Sequence, residues 1–308
     1  MVTMDKQHNE DFPLTNQRSL SSQSSYTRKY IITVADKSKL TSSLIQIFKD
    51  VAIGMKKSGK TKSFTVPSRV FQNEQFVSLN YEDMLDWCFQ REIGSSHMSI
   101  VMMYLSEMTH TEGISGMYGF CDCNYLSPLT PTVQNEDDRS DYLSRVFACN
   151  DAKNKNQVFF APYNENRHWM LAVICPWIGL VHWLDPTGVV NEPREFAQTI
   201  INRAIIKFSM EHRKDIAKIK KNPYIRWKKI ECPRQPLGST DCGYYVSRYM
   251  IEIIESRQMV IPDKYFDKAP STYSQQMIDE LRERWISYVT GYHQPNEDDD
   301  GDDDLLEI

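Results

Sequence analysis

Between residues 157 and 185 three apolar runs follow one another: QVFFAPY, HWMLAVIC and GLVHWLD. Each is short and rich in aromatic and β-branched side chains, as strands buried in a sheet are. Helical periodicity brackets them. Upstream, NYEDMLDWCFQR predicts a short helix opened by Asn80 as N-cap, with Asp83 at the fourth position. SSHMSIVMMYLSEM predicts a second, capped by Ser95 or Ser96 and apolar on most of its surface, hence buried. SDYLSRVFAC predicts a third, with Leu143, Val146 and Phe147 at helical spacing. Downstream, PREFAQTIINRAIIKFSMEHRK predicts a long helix with Pro193 in its first turn. YIRWKKIEC alternates like a strand with one wet face, and two last helices begin near Cys242 and near Ser271. Helices, central strands and helices again make an α+β domain.

The ends of the chain read differently. Residues 1 to about 65 are rich in Ser, Lys, Thr and Asn, and SLSSQSSYTRK is the most linker-like part. The expectation is a largely flexible region in which SSLIQIFKDVAIGM forms at most one helix. From Asn296 to Ile308 there are eight acidic residues and no Lys or Arg, a solvated tail. Without it the net charge of −5 becomes mildly basic, too little to predict nucleic acid binding. No run approaches the roughly 18 apolar residues of a membrane helix. Seven cysteines at scattered spacings, with no secretory signal, point to a reducing compartment, cytosol or nucleus.

If HWMLAVIC and GLVHWLD pair antiparallel around Pro176–Trp177, residue 175 faces 178 and His168 faces Asp185. A carboxylate there accepts the imidazole N–H and fixes its tautomer. The competing reading is two unrelated strand-end residues. His182, inside the second run, reads as a packed histidine. Cys242 follows GSTD and precedes the stripe Val246, Tyr249, Met250, Ile253, so it opens a helix capped by Ser239, Thr240 or Asp241. Unpaired N–H groups and the helix dipole favour a thiolate there, and the Cys242 N–H points where an oxyanion forms. A small buried thiol is the alternative. Gln235, before Pro236, supplies a second donor or is a loop residue. Cys121-Asp122-Cys123 is too tight for zinc, and no partner ligands follow.

The stretches FFAPYNENRHWMLAV, GLVHWLDPTG and CPRQPLGSTDCGYYVSRYM resemble the ubiquitin-like-protein-specific cysteine proteases, the Ulp or sentrin-specific family that processes SUMO. The likeness is greatest to the divergent versions in plant genomes, many of them linked to transposable elements. It implies a papain-like fold of the Ulp/adenain type, a central mixed sheet flanked by helices. It implies a flexible region over 1–66, a protease domain over 67–292 and an acidic disordered tail over 293–308. His168 becomes the general base, Asp185 its orienter, Cys242 the nucleophile, and Gln235 the oxyanion donor with the Cys242 N–H. Trp169 resembles the family tryptophan that roofs a channel for a Gly-Gly tail; a core-filling aromatic is the other reading. The implied partner is SUMO or another ubiquitin-like modifier, bound by a monomer with no cofactor, nucleic acid or membrane. Processing of another protein and a non-catalytic modifier-binding module are the alternatives. Two departures stand out. The Gln235–Cys242 interval is one residue longer, with Leu237 the extra one, and REIGSSHMSI lacks the tryptophan usual before that helix, Trp87 lying too early.

Overall fold

The computed structural model describes residues 30–128, 135–149, 156–188, 192–213, 225–262 and 270–292. The chain divides between Ile31 and Ile32, and the architecture that follows belongs to the second unit. The acidic tail lies outside the described residues, as does most of the linker-like N-terminus.

The three apolar runs become strands. β1 (Lys62–Val66) and β2 (Gln75–Leu79) form a separate antiparallel hairpin. The main sheet has the order β3 (Tyr118–Phe120), β4 (Val158–Glu165), β5 (His168–Cys175), β6 (Leu180–Leu184), β7 (Arg226–Lys229). Its outer pairs are parallel and its inner pairs antiparallel, so the sheet is mixed. β5 and β6 are buried almost throughout, whereas β7 is a half-exposed edge, matching its alternating charges.

The helices are α1 (Val34–Lys37), α2 (Ser43–Ser58), α3 (Ser68–Phe71), α4 (Tyr81–Cys88), α5 (Ser95–Thr111), α6 (Cys123–Leu126), α7 (Glu136–Cys149), α8 (Glu195–His212), α9 (Cys242–Glu255) and α10 (Gln275–Gly291). Leu143 and Phe147 of α7 and Ile201 and Phe208 of α8 join one core with Met170, Ala172 and Trp183 of the sheet. Helix α9 packs on β5 and α5. Asn80 caps α4 in a reciprocal box with Asp83 as expected. At α5 the cap is Gly94 rather than a serine: the His97 ring accepts the Gly94 N–H at 3.2 Å and donates from Nε2 to the Asp83 carbonyl at 2.8 Å. Helix α8 starts at Glu195 with Arg194 as N-cap, so Pro193 lies just outside its first turn.

The folded unit extends further upstream than residue 67. In α2, Ile45, Phe48 and Ala52 are fully buried, and Phe48 meets the Trp285 ring edge-on at 6.0 Å between centroids. Such an aromatic contributes roughly 1.5–3 kcal/mol by leaving water, enough to fix a helix set in a polar stretch. At the other end Arg282, fully buried, binds the carbonyls of Lys39, Trp87 and Cys88 and the carboxylate of Asp279. It closes the first part of the fold onto the last.

Candidate active site

The thiol sits at a helix start that packing holds firmly. Val246, Tyr249, Met250 and Ile253 of α9 are all fully buried, which fixes the helix axis and with it Cys242, its first residue. A Cβ on Gly243 would lie 2.3 Å from Ile93 Cγ1 and 3.2 Å from Trp169 Cδ1, so only glycine lets the helix start approach this wall. Asp241 is the N-cap by backbone, but its side chain makes no bond to the helix. Capping by a side chain was the expectation; the carboxylate is instead held by Gln90, Nε2 to Oδ1 at 2.8 Å.

The imidazole arrives on a hairpin. Asn166 and Arg167 both have positive φ, 53° and 66°, the conformation of a type I′ turn between β4 and β5. His168 therefore opens β5 opposite Glu165. The expected pairing of His168 directly with Asp185 is corrected by two residues. Leu171 pairs Leu184 and Cys175 pairs Leu180, because a 3₁₀ turn, Pro176–Ile178, and Gly179 at φ 63° lengthen the connection. An even shift keeps every side chain on its expected face. Asp185, just past β6, is thus a diagonal neighbour, and the His168 Nε2–Asp185 Oδ1 distance is 2.7 Å.

Asp185 Oδ1 also accepts from the Thr187 N–H at 2.9 Å and hydroxyl at 2.7 Å. Burial pushes Asp185 up, but these bonds outweigh it and hold the carboxyl below its ordinary range. Burial likewise pushes His168 down, yet hydrogen bonds to Asp185 and to the Cys242 thiol prevail and set its pKa at about 9. The Cys242 sulfur also lies 3.9 Å from the Arg167 carbonyl. Imidazole and carboxylate are bonded to one another, and the thiol meets the backbone one residue before the imidazole.

Gln235 is tied to the same region. Its N–H donates to the Pro186 carbonyl at 2.9 Å, and its side-chain Nε2 to the Ser239 carbonyl at 2.8 Å. The longer Gln–Cys interval is absorbed in a turn closed by Ser239 N–H on Pro236 O, 3.0 Å, with Gly238 at φ 77°. Leu237 stands 99% exposed at the tip, so the extra residue bulges outward and Gln235 still faces the loop before Cys242.

Trp169 is packed as the core-filling aromatic foreseen for it. It is 2% exposed and donates from Nε1 to the Ile93 carbonyl at 2.8 Å, and it lines a cavity of about 460 Å³ with Ile93, Gly94, Asn164 and Arg167. Two cavities of about 390 and 520 Å³ lie elsewhere; neither these nor the Trp169 cavity is lined by Cys242, His168 or Asp185. Trp87 is a core residue stacked on Trp285 at 4.1 Å, and His182 is buried within β6. Sequence reasoning passed over Thr187, which holds Asp185, and Gln90, which holds Asp241. The Thr187 signal was present in DPTG, a turn in which an aspartate bonds two residues ahead.

No curated protein matches the chain. Among solved structures it is similar to the Chaetomium thermophilum Ulp1-like SUMO protease catalytic domain (TM-score 0.51, 14% identity, 81% of this chain and 90% of that one). It is also similar to the C-terminal Ulp1 protease domain in complex with Smt3, the yeast orthologue of SUMO (0.48, 16%, 79% and 93%). A third is the Xanthomonas campestris effector XopD bound to ubiquitin (0.41, 15%, 63% and 90%). Residues 91–285 match the C-terminal catalytic domain of the Ulp1 protease family; the chain belongs to that family and is a cysteine protease.

Proposed function

We propose that this protease cuts after the C-terminal glycines of SUMO or another ubiquitin-like modifier, in a precursor or a conjugate, through Cys242, His168, Asp185 and Gln235. The observation that carries the reading is the bonded His168–Asp185 pair, with the Cys242 thiol at the start of α9 set against the residue before His168. With a pKa of about 9, His168 holds its proton at neutral pH and stands as an imidazolium beside the sulfur that attacks. The sulfur attacks the substrate carbonyl, and the oxyanion is held by the Cys242 N–H and the Gln235 amide. His168 gives its proton to the leaving amine. It then takes a proton from water, which attacks the thioester and frees the acyl group and Cys242. Asp185 keeps the ring oriented throughout.

Membership of the family favours a modifier as substrate. Cys242, His168, Asp185 and Gln235 come from one chain, and a monomer is the proposed working unit. The test is a SUMO or ubiquitin carrying a C-terminal electrophile. Covalent capture by the wild type, abolished in Cys242→Ser, is the expected result. Tight binding without capture would make the chain a modifier-binding module, a reading that the absent tryptophan before α5 favours. Neither binding nor capture would move the substrate to another protein.

A further inference from the structure

Gln90 takes no part in the chemistry above, yet its side chain is placed with unusual care. It is 6% exposed, and its φ of 52° is that of the left-handed residue ending α4, with the Arg91 N–H on the Asp86 carbonyl at 2.9 Å. Its amide bridges two parts of the fold, accepting at Oε1 from Gln275 Nε2 at 2.7 Å and donating from Nε2 to Asp241 Oδ1 at 2.8 Å. The direction of these bonds is fixed from outside. Lys39 Nζ, which can only donate, binds Gln275 Oε1 at 2.9 Å. Gln275 must therefore present its NH₂ to Gln90, and Gln90 its NH₂ to the carboxylate.

What this does is visible from a second Asp-Cys in the same molecule. Asp122 precedes Cys123 as Asp241 precedes Cys242, and each cysteine is the first residue of its helix. The Asp122 carboxylate caps α6, accepting the Asn124 N–H at 2.9 Å. The Asp241 carboxylate makes no such bond. Asp122 caps from an extended backbone, ψ 119°, whereas Asp241 stands at ψ 0°; turned toward the sulfur instead of Gln90, its carboxylate would set a negative charge beside Cys242.

We infer that Gln90 is a positioning residue for the nucleophile, holding the Asp241 carboxylate away so that no negative charge stands beside the Cys242 sulfur. The inference rests on Cys242 being the nucleophile. Gln90→Met keeps the shape and apolar packing of the side chain and removes the donor. Alkylation of Cys242 by iodoacetamide at pH 7, followed on the Cys242 peptide by mass spectrometry, should slow by roughly three- to thirtyfold. Gln90→Met with Asp241→Ala should return to within about twofold of wild type, since no carboxylate is left to swing. An undiminished rate in Gln90→Met overturns the inference, and so does a double variant as slow as the single, because a purely structural loss is not repaired by a second deletion. Gln90→Ala repeats the comparison if the methionine variant lacks a cooperative thermal melt. Wild-type Cys242 reacting no faster than a free cysteine thiol would instead overturn the nucleophile assignment, and the inference with it.

Discussion

Cys123 and Cys242 show how little a helix start decides by itself. Both follow an aspartate, both open a helix, and they are 1% and 4% exposed. Burial, reinforced by the Asp122 charge, pushes the Cys123 thiol well above its ordinary value. Burial does the same to Cys88, Cys175 and Cys232, raised to about 12, 12 and 11. Cys242 differs in its neighbours: a hairpin delivers His168 to its sulfur, and the adjacent carboxylate is held away. Reactivity here is built by elements distant in sequence, and the local dipeptide is common to an inert thiol and the proposed nucleophile.

The comparison breaks most sharply at His168. His168→Ala should lower turnover by about 10²–10⁴-fold and leave Cys242 as unreactive toward iodoacetamide as Cys123. In the wild type, turnover should hold at neutral pH and fall as pH passes about 9, where His168 loses its proton. The stability effect has the same sign. With the folded pKa above the ordinary 6.5, the stabilisation is fully present below pH 6.5 and is lost as pH rises through 9. Denaturant melts should show that decline in the wild type and lack it in His168→Ala.

A narrower contrast separates activating the thiol from holding the oxyanion. Gln235→Ala should cost about 10²–10³-fold in kcat, while Cys242 alkylation stays near the wild-type rate. Equal losses in both would mean that Gln235 acts on the thiol. The smallest effect lies in the caps themselves. Asp122→Ala removes a bonded cap and should cost about 1 kcal/mol in urea melts. Asp241→Ala removes no cap but leaves the buried Gln90 amide without its acceptor, a cost in the same melts that adding Gln90→Met should cancel.

Much of this was legible in the sequence where the information is local. The Asn80–Asp83 box, the three central strands and the buried α5 follow from spacing alone. His168 and Asp185 were brought together although the pairing was off by two, because parity survives an even shift. The turn length was the obscure part: Pro176–Trp177 looks like a tight reversal, and a 3₁₀ turn is indistinguishable from it in sequence. Residues 43–66 were misjudged for another reason. Their composition is polar on average, and Phe48 becomes a core residue only because Trp285, far along the chain, covers it. Gln90 was unreadable in principle, since its partners lie 151 and 185 residues away.

Arg282 carries a consequence for the moment of synthesis. The carbonyls it gathers belong to residues 39, 87 and 88, which leave the ribosome long before the guanidinium does. Gln275, which orients Gln90, is almost as late. The strands and α9 are complete by residue 255, ahead of the helix that brings Gln275 and Arg282. Every residue of the proposed catalytic set is thus made before the side chains that tie the first part of the fold to its last helix.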